Sequence, residues 1–168
     1  MKKILVLNPE NVREDEGNTY PVREAARAVI IDGEGNVALL HASLKNYYKL
    51  PGGGLEDGED VLIALERECK EEIGCAIRLV GEVGIVTEFR KMFNLKQISY
   101  CYAASIKGEK GHPTFTEEEL KDGFEIVWLP YGEALQTVAQ SVTDDKEATL
   151  YIIPRDTAVL QAAESLFK

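Results

Sequence analysis

The sequence is poor in the residues that build soft-metal and disulfide chemistry. Its two histidines, His41 and His112, are too few and too far apart for a histidine metal site. Its three cysteines, Cys69, Cys75 and Cys101, show no zinc-ligand spacing, and an odd number without a secretory leader implies reduced thiols that pack as small apolar residues. Long apolar runs are also missing. After Met1-Lys2-Lys3 the stretch ILVL gives way to Asn8, too short for a signal-peptide core, and no later run could span a bilayer. The expected location is therefore the cytoplasm, with no membrane partner. Positive charge is the minority sign: 19 Lys and Arg face 29 Asp and Glu, for a net charge of -10. Such a surface excludes a nucleic acid polymer as the natural partner, because phosphate backbones are bound through surplus Lys and Arg.

What is present is ordinary for a soluble globular protein, and its most distinctive part is concentrated in one place. The 168 residues, 45% hydrophobic and 29% charged, suffice for one domain that buries about 70% of its unfolded surface. The stretch Gly52 to Cys75, GGGLEDGEDVLIALERECKEEIGC, opens with three glycines after Pro51, passes through an acidic loop and enters a helix near Asp60 that stops at Gly74. Asp60 is the expected N-cap, with Ile63 ruling out a capping box, and Gly74 suits the left-handed residue that closes a helix. Leu62, Leu65, Cys69 and Ile73 form the expected buried stripe, and Ala64 leaves the ground above the acids uncrowded. Glu68, Glu71 and Glu72 fall at i, i+3 and i+4, so a helix projects them from one face.

Acidic helix faces are usually just solvated, but this one has company. Between Glu56 and Glu72 eight acids face only Arg67 and Lys70, so an anionic substrate could approach only if a cation reversed the local sign. Carboxylates on one face suit a hard divalent ion with oxygen ligands. Arg67, eight residues after Glu59 and four before Glu71, can tie the loop carboxylate to the helix carboxylates.

These residues resemble the Nudix box, G-x5-E-x7-R-E-U-x-E-E-x-G-U. Gly53, Glu59, Arg67, Glu68, Glu71, Glu72 and Gly74 supply every Gly, Glu and Arg of that pattern, and the departures are Cys69 and Cys75 at positions where aliphatic residues are more usual. The resemblance extends more weakly over residues 24–166. It implies an α/β fold, the Nudix-type α/β/α sandwich with a mixed β-sheet, in which the box helix carries its Glu face to the mouth of a cleft. It also implies Glu68, Glu71 and Glu72 as ligands of Mg²⁺, with Mn²⁺ as the other candidate, joined by the carbonyl of Gly52, and Arg67 with Glu59 as the pair that orients them.

Along the chain, Lys3 to Leu7 reads as a strand, and NPENVREDEGNTYP as a polar arm without periodicity. Residues 1–23 are thus set apart from a single domain over 24–168. EAARAVIID and VALLHAS around GEGN read as a hairpin. Arg27 in its first strand is either a solvent-facing residue or a phosphate contact in the cleft. Tyr48 and Lys49, just before the glycines, are candidates for the substrate wall, with sheet packing the plainer explanation for the Tyr. AIRLVGEVGIVTEFR and KQISYCYAASIKG read as strands joined near Lys91 to Leu95, and FEIVWLP as another, with Trp128 in the core. GEKGHPTFTEEELKDG between them reads as a polar connection without regular structure. By the resemblance this region lends an additional Glu as metal ligand or general base, and Glu119 is the choice, ahead of Glu117 and Glu118. In the tail, PYGEALQTVAQ has the spacing of a short helix, and two further helical patterns are broken by Pro154. In the second of these, Ala158, Leu160, Ala163 and Leu166 make a packing stripe.

The resemblance implies Mg²⁺-dependent hydrolysis of a pyrophosphate bond in a nucleoside diphosphate linked to another moiety. The partner is then a small nucleotide derivative, and a homodimer is compatible with the sequence. A catalytically silent nucleotide-binding module on the same fold is the alternative, although such proteins usually lose box carboxylates. The stretch TEFRKMF carries neither the proline that accompanies ADP-ribose hydrolases nor the tyrosine of dinucleoside polyphosphate hydrolases, so the nucleotide stays open.

Overall fold

A computed structural model describes residues 1–168. Alternating apolar runs form eight strands: β1 (Lys3–Leu7), β2 (Val22–Ile31), β3 (Asn36–Ala42), β4 (Tyr47–Lys49), β5 (Gly52–Gly54), β6 (Ala76–Arg90), β7 (Leu95–Lys107) and β8 (Phe124–Pro130). The helices are α1 (Glu14–Gly17), α2 (Val61–Ile73), α3 (Glu117–Lys121), α4 (Tyr131–Ala139) and α5 (Ile153–Ala163). One mixed sheet runs β1-β6-β7-β2-β3-β4, with β5 added to β2 and β8 to β3. β1 lies parallel to β6 and β2 parallel to β7, while the other pairs are antiparallel. The hairpin expected from GEGN is short, with Ile31 paired to Val37 and the Asp32 N–H donating to the Asn36 carbonyl at 2.9 Å; beyond that, β2 takes β5 as its neighbour, with Arg27 opposite Gly52.

The alternation of β2 sorts residues to the two faces. Ala26, Ala28 and Ile30 pack under α2 with Leu65, Cys69 and Ile73, whereas Val29 joins Val159, Leu160 and Ala163 of α5 and Ala134 and Val138 of α4. Helices thus cover both faces of a mixed sheet, which is the α/β/α sandwich. Fully burying a Leu or Ile of this kind contributes about 1.5–3 kcal/mol, so Leu65 and Ile73 anchor α2 firmly. No helix is long and apolar enough to cross a membrane.

Several local expectations are corrected. Leu62 is 39% exposed and Ala64 is fully buried, because α2 lies so close to the alanines of β2 and the glycines of β5 that only a small side chain fits between them. On α5 the buried stripe contains Val159 where the sequence suggested Ala158. Pro154 does not break the tail into two helices. A π-helical turn at Ala148–Ile152 runs straight into α5, and the proline follows that turn, where the backbone hydrogen-bond pattern changes. The polar connection before β8 contains α3, closed by a capping box between Thr116 and Glu119. The N-terminal arm also packs: α1 interrupts it, Val12 and Tyr20 are buried, and Glu10 accepts from the Tyr151 hydroxyl at 2.6 Å. Trp128 is only half-buried, with the Lys110 ammonium 4.1 Å from its ring centroid.

A buried charged cluster joins α5 to the glycine loop. Arg155 donates to Asp156 from Nε at 2.6 Å and Nη2 at 3.1 Å, and Asp156 accepts the Leu50 N–H at 2.8 Å. Removing one partner of such a pair leaves an uncompensated charge in the interior. Asp156→Ala is therefore expected to cost about 3–5 kcal/mol in urea unfolding. A loss below about 1 kcal/mol, the range of exposed pairs, would contradict this placement.

Candidate active site

The site is built where α2 crosses the end of β5. Asp60 caps α2 by accepting the Leu62 N–H at 2.8 Å, and Gly74 closes it with φ of 67°. Gly52 adopts φ of 127°, and a Cβ there would strike the Ala26 carbonyl and lie 2.7 Å from the Arg27 Cα. Only glycine lets the strand pass so close to β2. At Gly53 the obstacle is the site itself, since a Cβ would lie 2.5 Å from Glu68 Oε1. The bare backbone is thus the seat of the Glu68 carboxylate.

Arg67 organises the acids. Its Nε and Nη2 donate to the two oxygens of Glu59, both at 2.9 Å, and Nη2 also reaches the Gly54 carbonyl at 3.1 Å. Nη1 donates to Glu68 at 2.8 Å and, more weakly, to Glu71 at 3.4 Å. One guanidinium therefore links the loop, the glycine strand and two helix carboxylates. Glu72 is the deepest of the three, its side chain 3% exposed against 46% for Glu71. It accepts the Gly52 N–H at 2.5 Å and the Lys49 ammonium at 3.0 Å. Burial raises its pKa above the ordinary carboxylate value, opposed by Lys49 and the Gly52 amide and reinforced by Glu68.

A cavity of about 620 Å³ opens beside these carboxylates. Glu68, Glu71 and Glu72 line it together with Glu118 and Glu119 of α3. α3 is brought there because the Thr114 N–H donates to the Glu71 carbonyl at 2.7 Å, tying the connection to the end of α2. Glu119 lines the cavity, but its Oε2 is held by the Thr116 N–H at 2.8 Å and hydroxyl at 3.0 Å. Lys49 lines the cavity and Tyr48 does not. Strand alternation sends Tyr47 and Lys49 inward and turns Tyr48 away, stacked on His41 with ring centroids 4.2 Å apart. Arg27 is no solvent-facing residue: it is 5% exposed, lines the cavity and donates to the Gly52 carbonyl at 2.9 Å. Burial, with the neighbouring Arg155, lowers its pKa to about 10.

Sequence reading missed Arg23, Arg90 and Arg155, which complete the wall. They come from β2, the end of β6 and α5, and no local spacing marks them as a group. The thiols are absorbed by the core: Cys69, Cys75 and Cys101 are buried and unpaired, and burial pushes Cys101 up to about 12.

The donor set suits a hard cation. Three carboxylates project from one helix face, the donors are oxygen, and Gly53 leaves room for Glu68 against the strand, while the Gly52 carbonyl accepts from Arg27. The carboxylates do not converge as a cluster of three on one point; Lys49 and Arg67 lie among them as the balancing positive charges.

A carboxylate face clamped by an arginine to a glycine strand, across a mixed sheet covered on both sides, defines a Nudix-type domain. The NUDIX domain model matches residues 21–150, and the chain belongs to this family. No curated protein matches the sequence. Among solved structures, the ORF135 protein of E. coli is 19% identical with a TM-score of 0.62, covering 89% of this chain and 94% of its own. A NUDIX hydrolase from Nitrosomonas europaea is 16% identical with a TM-score of 0.63, over 86% and 90%. A MutT protein from Methanosarcina mazei Go1 is 17% identical with a TM-score of 0.59, over 89% and 99%. At these identities the likeness is one of fold.

The Arg67–Glu59 pair makes a pH-dependent prediction. Paired with Arg67 and the Glu56 N–H, the Glu59 carboxyl falls from about 4.5 to about 2. A depressed pKa means that the contribution is complete above about 4.5 and is lost as pH falls toward about 2. In urea unfolding, Glu59→Gln is expected to be less stable than wild type at neutral pH and to lose less on acidification through this window. Parallel pH profiles would contradict the pairing.

Proposed function

We propose that the protein hydrolyses a pyrophosphate bond in a nucleoside diphosphate linked to a second moiety, with Mg²⁺ or Mn²⁺ as cofactor. The observation that carries this reading is the intact carboxylate face, seated on glycine backbone and opening into a cavity that also presents cations. Glu68, Glu71, Glu72 and the Gly52 carbonyl hold the cation, with Lys49 yielding its place beside Glu72. When bound, that ion neutralises phosphate oxygens and makes water a usable nucleophile near neutral pH.

The chain's own residues supply the rest. Arg67 and Glu59 fix the orientation of Glu68 and Glu71, so the carboxylates meet the substrate already arranged. Lys49 faces the oxygens of the scissile pyrophosphate and keeps the two anionic partners from repelling each other. A carboxylate of the box, or Glu119 once released from its own helix cap, takes the proton as water oxygen attacks phosphorus. The bridging P–O bond breaks and each product leaves with a phosphate.

The test is a product-release screen over nucleoside triphosphates and nucleoside diphosphate sugars with Mg²⁺ or Mn²⁺, using a coupled phosphatase or pyrophosphatase. A hit abolished by EDTA is expected, and Glu72→Gln should lower kcat/KM by about a hundredfold or more, beyond what an outer ligand-orienting residue contributes. Activity within a few-fold of wild type would remove Glu72 from this role. Silence across the panel, with thermal stabilisation by a nucleotide in the same samples, would show a binding module in place of an enzyme.

A further inference from the structure

The wall formed by β2, β6 and α5 is made of arginine, and its donors are not used up. Arg27 is buried, makes a single hydrogen bond to the Gly52 carbonyl, and leaves Nε without any partner. No acidic side chain reaches it within 4.0 Å. Arg155 spends Nε and Nη2 on Asp156, while its Nη1 has only Glu88 at 3.6 Å, beyond hydrogen-bonding distance. Arg23 is exposed and held by one nitrogen, Nη1, to Gln97 at 2.7 Å. Gln97 is in turn fixed by donating to Glu88 at 2.6 Å. Arg90 is the exception, with all its nitrogens engaged by Glu88 and Glu147. The two fully buried acids of this cluster, Glu88 and Asp156, do not line the cavity; Arg27, Arg155 and Arg23 do, and of these Arg27 alone leaves a buried nitrogen without a partner.

The same cavity offers little to a planar base. Its only hydrophobic lining residues are Tyr47 and Ile152, and Tyr47 is 5% exposed. Arg27, a buried guanidinium without a carboxylate partner, is costly unless an anion completes it, and tetrahedral oxyanions match the forked donors that Arg155 Nη1 and the exposed Arg23 add beside it. The box carboxylates account for the scissile pyrophosphate through a cation, which leaves these arginines for something else.

We propose that Arg27, Arg155 and Arg23 form a second anion subsite, which takes a phosphate group of the substrate other than the scissile pyrophosphate. This rests on the hydrolase reading above for the identity of the site, and it deepens that reading: the second moiety of the substrate is itself phosphorylated, either a sugar bearing a phosphate monoester or a longer phosphate chain. The nucleoside end then lies toward the open mouth, where no stacking is required.

Two measurements decide it. The first needs no turnover: inorganic pyrophosphate is titrated by calorimetry into metal-free protein in EDTA, with Arg23→Gln and Arg27→Gln compared to wild type. Arg23 is exposed, so its variant keeps the fold even where the Arg27 variant does not, and thermal unfolding identifies folded samples. Saturable binding, weakened about tenfold by loss of one charge-assisted contact, is expected. No saturable binding, or equal affinity in the folded variants, overturns the subsite.

The second compares kcat/KM within substrate pairs. One pair is a nucleoside diphosphate sugar with and without a phosphate monoester on the sugar; the other is a nucleoside tetraphosphate against the triphosphate. A preference of about tenfold for the richer member of one pair, reduced by Arg23→Gln, supports the subsite and tells its two sources apart. Equal rates within both pairs overturn the subsite and leave the hydrolase reading standing. If no compound is turned over, the hydrolase reading fails and the metal-free titration decides the subsite by itself.

Discussion

The rest of the site depends on a buried carboxylate. Glu72, taken out of water by α2, accepts a hydrogen bond from the backbone of Gly52 and ion-pairs with Lys49. Burying a charge of this kind costs several kcal/mol unless donors surround it, so its partners are obligatory. Meeting that requirement pulls the glycine strand against the helix. The strand can come so close only because Gly52 and Gly53 have no side chains. From this contact follow the inward carbonyl of Gly52, the seat of Glu68 and the reach of Arg67 to Gly54.

Arg67 and Asp156 extend the same constraint in two directions. Arg67 carries it outward, to the acidic loop through Glu59 and along the helix to Glu68 and Glu71. Asp156 carries it through the sheet, because a residue of α5 on the opposite face holds the N–H of Leu50, two residues before the glycines. The loop that presents Gly52 is therefore fixed from both layers of the sandwich. Such support is what a site needs if its ligands are to be arranged before substrate arrives. It also places the arginines of β2 and α5 beside the glutamates of α2, so one cavity holds both signs of charge.

What could be read from the sequence was local. The box helix, its caps, the projection of three glutamates and the span from Glu59 to Arg67 all follow from 3.6-residue periodicity over a short segment. The strand order and the arginine wall do not, since Arg23, Arg90 and Arg155 meet only after three distant elements pack. Arg27 lay between these cases: a strand pattern could say that it alternates with Ala26 and Ala28, but not that β5 would cover it. Of the two candidates before the glycines, Lys49 faces the cavity and Tyr48 does not, because neighbours on a strand point to opposite faces. Glu119 fell in a segment rich in turn residues, yet Thr116 three positions earlier already spelled a capping box. The Pro154 break failed because the helix passes through it from a π-wound turn, a change of winding that no residue spacing marked.

The central claim is that the face of Glu68, Glu71 and Glu72 is a divalent-cation site. Its most direct test is the binding of Mn²⁺ to metal-free protein, followed by electron paramagnetic resonance as the free-ion signal disappears, in wild type and in Glu72→Gln. Saturable binding that weakens by about tenfold or more when Glu72 loses its charge is the predicted result, as a ligand should matter at least as much as the groups that orient it. Binding of equal strength in both proteins, or none in the wild type, would contradict it.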